Sequence, residues 1–176
     1  MKKIIAILVF LSILTTSKAQ NILSWSESPI SFNVGAAYTE LNGDGVGNFD
    51  GMVGVAFDVT YRNLYVGYQF SPKQSVYSNA VDGTSFGFNL GVALPFSLNE
   101  STVITFCPHA SIGDATRYST SNEHSWNGYT GIGPGIKVGC NFGKFNVGVS
   151  ITKMFCTDDD GPDGWTTFGA TVGVVL

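Results

Sequence analysis

From Ile30 to the C-terminal Leu176, every second residue is apolar through eight successive segments of about ten residues. A period of two places alternate side chains on opposite faces of an extended strand, so each segment has one apolar and one polar face. In the first, Ile30 to Thr39, the residues Ile30, Phe32, Val34, Ala36 and Tyr38 oppose Ser31, Asn33, Gly35 and Ala37. The second, about Met52 to Tyr61, sets Val53, Val55, Phe57 and Val59 against Gly54, Ala56, Asp58 and Thr60. Leu64, Val66, Tyr68 and Phe70 alternate with Tyr65, Gly67 and Gln69 in the third, and Phe86, Phe88 and Leu90 with Gly87, Asn89 and Gly91 in the fourth.

The fifth, about Thr102 to Gly113, puts Ile104, Phe106, Pro108, Ala110 and Ile112 opposite Cys107, His109 and Ser111. The sixth, about Gly128 to Cys140, puts Ile132, Pro134, Ile136 and Val138 opposite glycines and Lys137. Phe145 to Thr152 and Gly164 to Leu176 complete the set. Arg62-Asn63, Pro95 to Ser101 and Asn141 to Lys144 read as short turns, and the other four connections as longer polar loops. Short turns at one end and long loops at the other predict an all-β fold, an eight-stranded antiparallel up-and-down transmembrane β-barrel.

A soluble ligand-binding barrel is the alternative, with its apolar face turned inward. The polar face argues against it. It is mostly Gly, Ser, Asn, Ala and Thr, with Asp58 and Lys137 as its clear charges, whereas a water-facing exterior calls for Lys and Glu. An eight-stranded barrel is only wide enough inside to hold side chains, which suits small residues. Tyr38, Tyr61, Phe70, Phe96, Phe142 and Trp165 lie near strand ends, where an interfacial girdle belongs.

The N-terminal residues read as an export signal. Lys2 and Lys3 precede the apolar run Ile4 to Leu14, and Ser17-Lys18-Ala19 is a small-x-small cleavage site. The expected division is a signal peptide over 1–19 and a barrel domain over 20–176. Removing Lys2, Lys3 and Lys18 takes the formal charge from −4 to −7. That acidity argues against nucleic acid as a partner, since such proteins carry basic patches. Part of the charge sits in the loops, notably Asp158-Asp159-Asp160. Cys107 and Cys140 fall on opposite faces, and Cys140 and Cys156 at opposite ends, so free thiols are expected.

The whole mature chain resembles the small outer-membrane barrel proteins, the OmpX-like and OmpA-barrel-like group. The resemblance rests on the export signal, eight alternating strands, four long loops and a final strand ending in an apolar residue, here Leu176 where Phe is commoner. It implies residence in the outer membrane, contact with its lipids, and a non-enzymatic structural or adhesion-like role through the loops. A monomer with no cofactor is expected, with an extracellular ligand or surface partner at the loops.

Three groups could hold further chemistry. Asp58 and Lys137 both point inward from opposite sides of the barrel, where buried charges must be paired. His109 and Ser111, with Glu123 beyond, carry the residue types of an acyl-transfer triad. The spacing is similar to that of the outer-membrane lipid A 3-O-deacylases, which implies Ser111 as nucleophile, His109 as base and Glu123 as orienter. Ile112 stands where that family has Asn. Pro108 and Pro134 are expected almost opposite each other, weakening the seam beside His109 or forming a bulge. Glu40, Asn42, Asp44 and Asn48 have calcium-loop spacing, but Gly51 replaces the final acidic ligand and no helices flank the loop, so no metal is expected.

Overall fold

The structure is a computed structural model and describes residues 30–42, 51–77, 81–99, 102–119, 126–157 and 163–176. The predicted signal over 1–19 lies outside the described residues. Nine strands follow in chain order: β1 (Ser31–Asn42), β2 (Met52–Tyr61), β3 (Leu64–Tyr77), β4 (Val81–Val92), β5 (Leu94–Asn99), β6 (Thr102–Ser119), β7 (Trp126–Phe142), β8 (Phe145–Cys156) and β9 (Gly164–Val175). Each pairs antiparallel with its neighbours. The sheet closes where Ser31 of β1 meets Val175 of β9.

The nine strands make eight staves, because β4 and β5 are one stave broken at Ala93 and both lie along β6. Proline explains the break. Pairing with β6 stops at Gly91↔His109 and resumes at Leu94↔Phe106. Pro108 lies in that interval and has no N–H to give to the ladder. Leu94 to Asn99, read from sequence as the start of a turn, is therefore strand. Ala93 is held instead by the β2–β3 turn: its N–H donates to Asn63 O at 2.8 Å, and Asn63 Nδ2 donates to Ala93 O at 3.1 Å.

The expected juxtaposition of the two prolines is corrected. Pro108 pairs with Ile136, and Pro134 with Ala110, two positions away along a β6–β7 ladder that runs without a bulge. Each proline interrupts its other ladder. On the β8 side of β7, pairing skips from Ile132↔Phe155 to Gly135↔Thr152, across Pro134. The β6–β7 hairpin is also taller than the sequence reading, with β6 running to Ser119 and β7 starting at Trp126. Similarly, β3 and β4 extend to Tyr77 and from Val81. The connection beyond β7 turns at Gly143, whose φ of +59° suits glycine.

Burial identifies inside and outside. Phe32, Val34, Phe57, Leu90, Ile132 and Val149 are 46–63% exposed, while Asn33, Asp58, Gln69 and Asn89 are 4–7% exposed. The barrel therefore wears its apolar face outward, in the pattern of a lipid-facing wall. A soluble lipocalin-like barrel would show the reverse.

Candidate functional site

The interior is the place where side chains of unusual chemistry converge, and it divides into two layers. Toward the end bearing the Arg62–Asn63 and Gly143–Lys144 turns, the lining is polar. Lys137 of β7 forms a buried salt bridge with Asp58 of β2, across the lumen. Asn33 Nδ2 donates to the same carboxylate oxygen at 2.7 Å. The Lys137 ammonium also stands 5.8 Å from the centre of the Tyr65 ring, near enough for a cation–π contact. Tyr65 in turn packs on His109, with ring centres 5.1 Å apart.

His109 and Ser111 share the inward face of β6, but their hydrogen bonds go elsewhere than to each other. The carbonyl of Cys107 can only accept, so His109 Nδ1 donates to it at 3.0 Å. In the neutral ring Nε2 then accepts from the Thr152 hydroxyl, also at 3.0 Å. Ser111 Oγ donates to Asn89 Oδ1 at 2.7 Å. A serine nucleophile needs its proton taken by the base; here the base accepts from a threonine of β8 and the serine donates to an amide of β4. Both side chains are buried, at 7% and 3% exposure. Glu123 lies outside the described residues. The His109 ring fits only because Gly135 faces it, where a Cβ would collide with Nε2.

Toward the opposite end the lining becomes apolar. Leu41, Ala115, Met154 and Trp165 form one buried cluster with Tyr129 packed against it. Met52 is fully buried at the same end of β2. Trp165 thus corrects its expected place in the interfacial girdle. It shares parity with Thr167 and Thr171, points inward and is 1% exposed, over Gly131, which leaves room for its ring. The other girdle candidates, Tyr38, Tyr61, Phe70, Phe96 and Phe142, do face outward at 38–51% exposure. Between the layers, the hydroxyls of Thr39 and Thr167 bond at 3.1 Å, and Ser85 Oγ donates to Thr39 at 3.4 Å.

Among the remaining candidates, Glu40 and Asn42 lie on β1, while Asp44 and Asn48 fall outside the described residues. Cys107, Cys140 and Cys156 are free thiols, Cys107 buried against Tyr65 and Ala93 and the other two half-buried. Sequence reasoning missed the partners Asn33, Tyr65, Asn89 and Thr152, although all sit on the polar parity of their strands. It missed the apolar layer for another reason, since small residues were expected everywhere inside.

A closed, eight-stave antiparallel wall with an apolar exterior and a filled interior defines the class: a small transmembrane β-barrel, similar in fold to the eight-stranded outer-membrane proteins. Solved structures agree. Ail, the attachment invasion locus protein of Yersinia pestis, aligns at a TM-score of 0.52 with 17% identity, over 85% of this chain and 97% of that one. Neisserial surface protein A aligns at a TM-score of 0.55 with 12% identity, over 85% of this chain and 99% of that one. At these identities the likeness is one of fold. No protein-family model matches the chain, and no curated protein does.

Proposed function

We propose that the chain is a non-enzymatic protein of the outer membrane, exported by the signal over 1–19, whose barrel over 20–176 displays a surface for extracellular contact. The observation that carries this reading is the uneven height of the wall at its long-loop end. Among the described residues, the strands β3, β4, β6 and β7 continue together beyond their neighbours, paired as far as Tyr77↔Val81, Val81↔Ser119 and Tyr118↔Trp126. Among the described residues, pairing of β7 with β8 starts at Gly131↔Cys156, with Thr157 N–H donating to Thr130 O at 2.9 Å just beyond it.

The two edges of this projecting sheet differ. β3 carries Pro72, Lys73 and two irregularities in its pairing with β4, between Ser71 and Gln74 and between Ser75 and Tyr77. Prolines, lysines and bulges are devices that prevent a strand from being added. The β7 edge, Trp126 to Tyr129, carries neither proline nor charge. Among the described residues its ladder partner is β6 alone. An extended segment of a partner protein could add there as a strand. Proteins of similar fold support surface contact: Ail is an attachment invasion locus protein, and another Ail structure, at a TM-score of 0.53 and 16% identity, holds the heparin analogue sucrose octasulfate. The net acidity of this chain disfavours a sulfated polyanion as its own ligand. Among the described residues, Ser111 bonds to Asn89 and His109 to Cys107 and Thr152, which does not favour the acyl-hydrolase reading of Ser111.

Gly128 offers the test. It is exposed, and a Cβ there would meet only Thr116 Oγ1, at 3.6 Å. Gly128→Lys therefore adds an edge charge without disturbing the wall. Cells displaying equal amounts of wild-type and Gly128→Lys protein are compared for adherence to protein-coated surfaces. Lost adherence with unchanged detergent resistance supports a contact role. Equal adherence, with detergent sensitivity appearing only when the protein is deleted, would instead favour a role in envelope integrity.

A further inference from the structure

We infer that the lumen is hydrated from its short-turn end alone, through a water site held by Lys137 and Asn146. A cavity of about 30 Å³ lies at that end, between Ser31, Thr60, Thr105, Lys137, Asn141 and Asn146. A water needs about 10–15 Å³ on this measure, so the space suits one or two. The groups around it supply the matching chemistry. Asn146 is 4% exposed, and its Nδ2 donates to Asn141 while its Oδ1 has no protein partner. Lys137 is 3% exposed and gives one of its three N–H groups to Asp58.

A water accepting from Lys137 and donating to Asn146 Oδ1 would give the ammonium a second partner and the amide oxygen its first. An anion cannot, because it would set negative charge against the amide oxygen. Nearby, Thr171 Oγ1 is a second buried oxygen without a protein partner. Lys137 Cε lies 2.6 Å from the point a Cβ would occupy on Gly148, with Thr171 Oγ1 at 3.2 Å and Lys137 Nζ at 3.3 Å, so glycine there makes room for the Lys137 side chain beside Thr171. Toward the other end, among the described residues, Leu41, Ala115, Met154 and Trp165 pack into an apolar plug that offers water no hydrogen-bonding lining of this kind. Water, and protons carried by it, then reach the Lys137–Asp58 pair from one side of the membrane only.

The test is water–protein cross-relaxation NMR on the full barrel, ¹⁵N-labelled, in phospholipid nanodiscs. Direct water cross-peaks are expected at the Lys137 ammonium and the Asn146 side-chain amide, with none at the Trp165 indole. In Asn146→Leu the Lys137 cross-peak should fall at least about two-fold; if that variant does not fold, the wild-type pattern decides alone. Absence of the wild-type Lys137 cross-peak, an equal one at Trp165, or no change at Lys137 in a folded Asn146→Leu barrel would overturn the inference. So would bromide titration shifting the Lys137 and Asn146 signals, which would make the site an anion site.

Discussion

The two layers of the lumen solve the same problem by opposite means. Near the short turns, Asp58, Lys137, Asn33, Tyr65 and His109 fill the interior with charge and hydrogen bonds. Near the long loops, Leu41, Met52, Met154 and Trp165 fill it with apolar volume. A polar layer is sensitive to the loss of one partner, because the group left behind stays buried and unpaired. An apolar layer is sensitive to loss of volume, and restoring charge balance cannot repair it.

Substitutions can break that contrast, and the two largest should cost similar amounts. Trp165→Ala leaves a cavity beside Met154 and Leu41 and is expected to lower unfolding free energy in detergent micelles by about 3–5 kcal/mol. Lys137→Met strands the Asp58 carboxylate and should also cost about 3–5 kcal/mol. The distinction lies in rescue. Adding Asp58→Asn to Lys137→Met should recover most of the loss, whereas no charge change recovers Trp165→Ala. A double variant no more stable than Lys137→Met would show that the ion pair is not what organises its layer.

On the lipid side, Leu90→Arg sets a cation on the exposed apolar wall and should cost about 2–4 kcal/mol if it lies near the bilayer midplane. Thr152→Val removes the hydroxyl bonded to His109 and should cost about 1–3 kcal/mol, through a buried ring nitrogen left without a partner. The smallest effect is expected at Ser111. Ser111→Ala loses the bond to Asn89, worth about 1 kcal/mol, and should leave lipid A mass spectra unchanged. A mass change on that substitution would restore the hydrolase reading.

Much of this architecture is legible in the chain, because a period of two assigns every wall residue to a face once the strand is recognised. Phe32 outward and Asn33 inward follow from parity alone, as does the facing of Asp58 and Lys137. What parity cannot supply is depth and size. Trp165 looked like an interfacial aromatic because it lies near the start of a strand. Its inward direction was readable from Thr167, but the space for it depends on Gly131, a residue of β7 that meets it only in three dimensions. The break at Ala93 was hidden for a similar reason, since its cause is Pro108 on the neighbouring stave. The partners of His109 and Ser111 were beyond reach because Thr152 and Asn89 come from two different strands.

This chain crosses a membrane as a closed barrel with its apolar face toward lipid. Fractionation with heat-modifiable gel mobility tests it most directly. The protein should sediment with the outer membrane, be released by detergent but not by salt, and shift in mobility on boiling. Recovery in the soluble fraction without detergent, with no mobility shift, would contradict it.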